Sequence, residues 1–142
     1  MRAPEVDLFL PAAGGAEELL AQEIARITGR QADHGRGGAW VRGDAHTAMQ
    51  LNLESRIAQR VLWPVIDGPY RDEHDLYDLA RRVDWTQWLT AAMTLRVDVN
   101  AQRSPLRSLN FAALRIKDAV CDVLREAVGE RPSVDTHRPD LP

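Results

Sequence analysis

Few folds accommodate the succession of elements that the first 66 residues predict. Apolar periodicity and turn residues mark a strand, a helix, a hairpin, a helix and a strand, over residues 6–10, 16–27, 32–43, 45–51 and 60–66. Gly29 stands just past the first helical segment, where glycine often ends a helix, and Asp44 suits the N-cap of the second. Pro64 cannot donate a backbone hydrogen bond, so we expect the last strand to lie at an edge or to end there.

This order of elements is ferredoxin-like, with the helices on one face of an antiparallel sheet. The Gly68-Pro69 pair interrupts the pattern and marks the start of a second unit. A chain of 142 residues is long enough for two small units. We therefore predict an α+β protein with a ferredoxin-like subdomain over residues 1–66 and a second unit over residues 67–142.

The second unit contains fewer predicted elements. Apolar residues at helical spacing predict a helix over residues 76–83, and clean alternation predicts a half-buried strand over residues 94–99. The longest predicted helix covers residues 108–128 and is stopped by Gly129. The last eleven residues, 132–142, are polar and proline-rich and predict no strand. A helix, a strand and a helix without a partner strand form an incomplete unit, so we expect the chain to be a truncated piece of a longer protein.

Composition points to the cytoplasm and away from membranes. The net charge of −3 argues mildly against non-specific binding of nucleic acid. The single cysteine, Cys121, cannot form an internal disulfide, which suits a reducing compartment. The sequence has no apolar run of about 18 or more residues and no charged-then-apolar leader, so we predict neither a membrane span nor a signal peptide.

The sequence offers no recognisable catalytic or metal-binding constellation. Its four histidines have no ligand spacing, and one cysteine cannot complete a zinc site. Neither a Ser-His-Asp arrangement nor a pair of carboxylates stands out. We therefore predict no catalytic residue and no metal in this chain.

One stretch departs from the acidic average of the chain. Residues 99–117 contain no acid but four basic residues, which are Arg103, Arg107, Arg115 and Lys117. The first two lie with Ser104 and Ser108 in a loop that enters the long helix, and the free N–H groups at a helix N-terminus favour phosphate. Arginine also matches phosphate geometry with paired donors. We predict a phosphate-binding clamp made of Arg103, Arg107, Ser108, Arg115 and Lys117.

The alternative to phosphate binding is a purely structural role, and it explains some of these basic residues better than others. Arg115 and Lys117 lie on a charged helix face, where pairing with acids such as Asp118 is as good an explanation as binding. For Arg103 and Arg107 we favour binding, since loops carry binding residues more often than helix faces do.

The aromatic residues could likewise serve either binding or packing. Phe111 lies off the apolar stripe of the long helix and could stack on an unpaired base, although packing against a neighbouring segment is favoured. The four tryptophans, at positions 40, 63, 85 and 88, are predicted to lie in a core or between subdomains.

Six blocks of sequence, in order, resemble a single family. They lie at residues 17–20, 37–44, 51–64, 83–85, 111–120 and 131–135. Their order and spacing resemble the N-terminal, THUMP-containing region of the bacterial 23S rRNA guanine-N2 methyltransferases. Each block is weak alone, but six in the right order are a specific signal that covers nearly the whole chain.

The resemblance implies a ferredoxin-like subdomain followed by a THUMP domain that captures RNA and is truncated before its last strand. The family's THUMP signature would begin near residue 45. A downstream domain of the same protein would bind S-adenosylmethionine and carry an Asn/Asp-Pro-Pro-Tyr type motif, so this part alone would hold no cofactor and catalyse nothing. The implied partners are 23S rRNA and that methyltransferase domain, and the clamp would contact RNA. A ferredoxin-like regulatory or protein-interaction domain that does not bind RNA remains the alternative.

Overall fold

The computed structural model describes residues 3–142. The chain forms two compact units, Met1–Val65 and Ile66–Pro142. Each unit has a hydrophobic core of its own. The α+β class predicted from the sequence is confirmed in both units.

The first unit has the ferredoxin-like topology. Its elements are β1 (Val6–Pro11), α1 (Glu17–Thr28), β2 (Ala32–Gly35), β3 (Gly38–Gly43) and α2 (Ala45–Glu54). Strand β3 lies between β1 and β2 and is antiparallel to both. On the other side of β1, Leu62 forms an antiparallel bridge with Phe9. The predicted strand over residues 60–66 is therefore reduced to this bridge, because Pro64 cannot continue a ladder of hydrogen bonds.

Alternation along the strands sends every second side chain toward the helices. The most deeply buried side chains of this core are Leu8, Leu10, Leu20, Ile24, Ala39, Val41 and Leu51. Phe9 and Trp40, between these positions on β1 and β3, consequently lie on the face of the sheet opposite the helices. The predicted helix ends are confirmed: Gly29 has the left-handed φ of 69°, and Asp44 forms a capping box with Thr47.

The second unit is built on two helices and very short strands. Its elements are α3 (Glu73–Arg81), a 3-10 turn (Trp85–Gln87), β4 (Thr94–Leu95), α4 (Leu109–Val128) and β5 (Ser133–Val134). Helix α3 begins earlier than predicted, because the carboxylate of Asp72 caps it by accepting from the N–H of Asp75. The core contains Leu89, Leu95, Val120, Cys121 and Leu124.

The strand pattern of this unit differs from the sequence prediction in two respects. Only Thr94 and Leu95 of the predicted strand over residues 94–99 are assigned to a strand. Strand β5 pairs with them in parallel, and Leu141 makes a further parallel bridge to Leu95. The prediction of no strand after the long helix was therefore wrong. Backbone pairing holds these two-residue strands, and it does not require the apolar alternation by which sequence patterns are recognised.

Among the helices described over residues 3–142, none combines the length and the apolar content that a membrane crossing needs. The described side chains include no group of three or more His, Cys, Asp or Glu residues placed to hold a metal ion.

Candidate nucleic-acid interface

The segment from residue 100 to residue 108, here called the basic loop, leads from β4 into α4. Arg103 and Arg107 are both exposed in it. Within residues 3–142 neither guanidinium has a hydrogen-bond or ion-pair partner, although the charge of Arg107 acts on the nearby carboxylate of Glu73. Two unpartnered guanidinium groups in one loop are available to an external anion.

The basic loop has a defined conformation. The hydroxyl groups of Ser104 and Tyr70 lie 2.9 Å apart and share a hydrogen bond, and Ser104 Oγ also accepts from the N–H of Leu106 at 3.2 Å. Arg103 has a φ of 52°, and it is the only non-glycine residue in the described part of the chain with a positive φ. A side chain in this left-handed region is strained, so the surrounding contacts must hold the loop in place.

Glu73 is the residue that fastens the end of the basic loop, and the sequence analysis missed it. Its side chain is buried, and its Oε1 accepts from the N–H groups of Arg107 at 3.0 Å and Ser108 at 3.1 Å. Hydrogen bonds from its own amide and from that of Ser108 hold the pKa of the Glu73 carboxyl below its usual value, against the opposing effect of burial. Residues 99–117 contain no acid in the sequence, but in the folded structure the carboxylate of Glu73 contacts their backbone at Arg107 and Ser108.

The start of α4 keeps some capacity for an anion despite this carboxylate. Ser108 is the N-cap, and its Oγ accepts from the N–H of Phe111 at 3.2 Å. The N–H groups of Leu109 and Asn110 have no partner among the described residues. These two amides and the Ser108 hydroxyl hydrogen can donate to a phosphate oxygen beside the arginines.

Arg115 and Lys117 are placed differently from the loop arginines. The Arg115 guanidinium lies 4.2 Å from the centroid of the Tyr77 ring and 3.6 Å from Asp118, and its Nε is buried without a hydrogen-bond partner. Lys117 Nζ lies 2.9 Å from Asp118, which Arg131 also approaches. Both side chains thus have partners within the unit, and these contacts favour the structural interpretation for this pair.

The aromatic residues separate into exposed and packed sets. Phe111 is 43% exposed near the start of α4 and meets His74 edge to face. Trp63 and Trp85 are half-buried and pack against the cores of their units. Trp40 and Trp88 are 40% and 38% exposed. Trp40 does not lie in the core of its unit, one of the two positions expected for it, because strand alternation directs it away from the helices.

The role of Glu73 leads to a prediction about the mobility of the basic loop. Glu73→Ala removes the acceptor of two N–H groups, so hydrogen exchange at the amides of Arg107 and Ser108 should accelerate on the order of tenfold or more. Glu73→Gln keeps one oxygen acceptor and should accelerate exchange less. Exchange measured by NMR tests both variants, and wild-type protection in Glu73→Ala would contradict the fastening role.

The lowered pKa of Glu73 also sets the sign of a pH effect. A carboxyl whose pKa is lower in the folded than in the unfolded protein stabilises the fold above its usual value of 4.5. This contribution is lost as the pH falls through the lowered value. Acid titration should therefore release the amides of Arg107 and Ser108 in wild type, whereas the Gln variant should show no such dependence from this group.

Together these features define a two-part module, a ferredoxin-like unit and a second unit that presents an exposed basic loop. Residues 7–62 match the model of the RlmL ferredoxin-like domain, and residues 70–142 match the THUMP domain model. The THUMP match covers more than half of the chain, so the chain belongs to the THUMP domain family. The resemblance found in the sequence is thereby confirmed.

Two curated relatives of the chain carry the same name. The chain is 41% identical over 141 residues to the ribosomal RNA large subunit methyltransferase K/L of Syntrophotalea carbinolica, with 99% of this chain covered. It is 39% identical over 135 residues to the enzyme of the same name from Pseudomonas fluorescens, with 95% covered. The chain spans only 20% and 18% of the lengths of these relatives.

Solved structures share the fold at low sequence identity. A predicted N6-adenine-specific DNA methylase from Listeria monocytogenes superposes with a TM-score of 0.79 at 23% identity, covering 87% of this chain and 32% of that one. A possible methylase from Clostridium difficile gives 0.82 at 19% identity, covering 97% and 38%. The protein SMU.472, solved in complex with SAH, gives 0.81 at 22% identity, covering 94% and 36%.

Proposed function

We propose that this chain is the RNA-binding region of an S-adenosylmethionine-dependent methyltransferase that modifies guanosine N2 in 23S rRNA. The match of residues 70–142 to the THUMP domain carries this proposal. The names of the curated relatives supply the substrate class, large-subunit ribosomal RNA. A large-subunit rRNA substrate supports the cytoplasmic location that the composition predicted.

The chain's own residues would contribute binding rather than chemistry. Arg103 and Arg107 offer paired donors to phosphate oxygens, and the amides at the start of α4 add two more. Contacts of this kind fix the register of an RNA without reading its bases. A linked catalytic domain would bind S-adenosylmethionine. RNA binding by this chain would raise the effective concentration of that domain at its target. The bound SAH in SMU.472 supports that choice of cofactor.

The competing function is a regulatory or protein-interaction domain that uses the ferredoxin-like fold without RNA. The THUMP match and the two unpartnered arginines favour RNA. A direct measurement of RNA binding separates the two functions. A regulatory or protein-interaction domain would bind RNA no more tightly than any other polyanion.

The first test is binding of the chain to labelled fragments of 23S rRNA, followed by fluorescence anisotropy. We expect the logarithm of the association constant to fall against the logarithm of salt concentration with a slope of about −2 to −3, for three or four phosphate contacts at ~0.7 each. DNA of matched sequence and length is the control and should bind more weakly. Absence of RNA binding even at low salt would favour the competing function.

The assignment to a methyltransferase has an independent test in the coding sequence beyond residue 142. We expect a cofactor-binding domain with an Asn/Asp-Pro-Pro-Tyr type motif there. A different kind of domain in that place would contradict the assignment while leaving RNA binding to the first test.

A further inference from the structure

The sheet of the first unit presents two aromatic side chains on the face opposite its helices. Phe9 on β1 and Trp40 on β3 are direct partners in the antiparallel register, and their ring centroids lie 4.9 Å apart at 34°. With Leu62 bridged to the outer side of β1, both residues lie on the inner strands of the sheet. The two rings are therefore central on this face rather than at its rim.

Two glycines of the hairpin give these rings the room to lie over the backbone. A Cβ at Gly38 would meet the backbone oxygen of Leu10 first and would also come within 2.7 Å of Phe9 Cε2, and a Cβ at Gly35 would lie 3.2 Å from Trp40 Cζ3. The rings thus occupy the space that side chains at these positions would fill. Because Trp40 is still 40% exposed, an aromatic surface remains open to solvent.

The charged groups around the rings suit a nucleotide. Arg42 lies on the same face as Trp40. Its side chain is 61% exposed, and its guanidinium is only loosely paired with Asp7 at 3.4 Å. It can reach a phosphate beside a stacked base. Asp33, in register with Trp40 on β2, offers an acceptor for the N–H groups of a base edge. An aromatic surface with a donor in Arg42 and an acceptor in Asp33 beside it complements an unpaired base and its phosphate.

We propose that Phe9 and Trp40 form a stacking platform for an unpaired base of the bound RNA. The platform rests on the proposed RNA-binding function and adds a second site to it. Modules with a four-stranded sheet bind single-stranded RNA in this way, by stacking bases on aromatic side chains of the sheet. The basic loop would hold phosphates through charge, whereas the platform would hold a base through stacking, which depends little on salt.

This difference gives the platform a signature of its own. Trp40→Ala should weaken binding of single-stranded RNA by about 5- to 150-fold, the range for loss of a stacked base. The slope of affinity against salt should stay as in wild type, because no phosphate contact is lost. Trp40→Tyr keeps a ring and should retain most of the affinity. Binding of a fully paired duplex should change far less, since its bases are not free to stack.

The experiment measures anisotropy for both RNAs with wild type, Trp40→Ala, Trp40→Tyr and Leu53→Ala. Leu53 is 85% exposed on α2, on the helix side of the unit, and controls for loss of an exposed apolar group. Thermal unfolding checks that each variant is folded. Ultraviolet cross-linking of 4-thiouridine RNA should map to Phe9 or Trp40 in wild type.

Two outcomes would overturn the platform. One is a Trp40→Ala variant that binds single-stranded RNA as tightly as wild type, with cross-links elsewhere. The other is an equal loss for single-stranded and duplex RNA that Tyr does not rescue, which indicates a structural role. In both cases wild-type binding is intact, so the proposed function survives. If wild type binds no RNA at all, both proposals fail together.

Discussion

Replacement of Glu23 by alanine is expected to destabilise the first unit by about 2–4 kcal/mol, because it leaves three partly buried donors without an acceptor. Glu23 is a buried acid on α1. Its Oε1 accepts from Ser55 Oγ at 2.6 Å and from the N–H of Ile57 at 3.3 Å, and its Oε2 accepts from the N–H of Arg56 at 3.1 Å. One carboxylate thereby ties α1 to the chain that leaves α2.

The pKa of Glu23 gives this prediction a pH dependence. Burial raises the pKa, but the hydrogen bonds from Ser55, Arg56 and Ile57 and the charge of Arg26 outweigh it and lower the pKa below 4.5. The carboxylate therefore stabilises the fold above that value, and the contribution is lost as the pH falls through the lowered pKa. Wild type should approach the stability of Glu23→Ala in acid.

Urea unfolding at neutral and acidic pH measures both effects. Glu23→Gln should lie between wild type and the alanine variant, because its amide NH₂ faces a donor that the second carboxylate oxygen had satisfied. Glu18→Ala, at an exposed position on the same helix, is the matched control. A Glu23→Ala variant within about 0.5 kcal/mol of wild type at neutral pH would show that the three donors find other partners.

Replacement of Arg103 and Arg107 together by glutamine is expected to weaken RNA binding about 25-fold at 0.1 M salt. Two phosphate contacts at ~0.7 each contribute roughly 1.4 to the slope against the logarithm of salt, and their effect vanishes near 1 M. Both side chains are exposed and have no hydrogen-bond partner among the described residues, so the change should leave stability nearly unaffected. Anisotropy with 23S rRNA fragments and thermal unfolding measure the two quantities.

The matched control replaces Arg82 and Arg125, which are exposed elsewhere in the second unit, and changes the net charge equally. It should reduce affinity only slightly. Replacement of Arg115 and Lys117 by glutamine should act mainly on stability, since it breaks the contacts with Tyr77 and Asp118. A larger binding defect for Arg115 and Lys117 than for the loop pair would move the interface from the basic loop to the face of α4.

Local patterns predicted the elements that depend on local physics. Helical periodicity located α1, α2 and α4, and Gly29 and Gly129 end α1 and α4 with the left-handed φ that glycine adopts readily. Strand alternation would also have predicted the orientation of Trp40, because Ala39 and Val41 on either side of it are buried. The general tendency of tryptophan to be buried was the weaker guide at this position.

Three features that the sequence analysis missed depend on partners far along the chain. Glu73 reaches amides that are 34 and 35 residues away, and no local pattern identifies such an acceptor. Strand β5 exists because its backbone pairs with β4, across the whole of α4. The engagement of Arg115 likewise depends on Tyr77 of another helix. Tertiary contacts of this kind decide which members of a basic stretch remain free to bind.

The salt dependence of RNA binding tests most directly whether the basic loop holds the RNA. For wild type we expect a slope of about −2 to −3, and for the Arg103→Gln, Arg107→Gln double variant a slope smaller in magnitude by about 1.4. The Arg82, Arg125 control should keep the wild-type slope. A double variant with the wild-type slope and affinity would contradict the account, because the RNA phosphates would then be bound elsewhere.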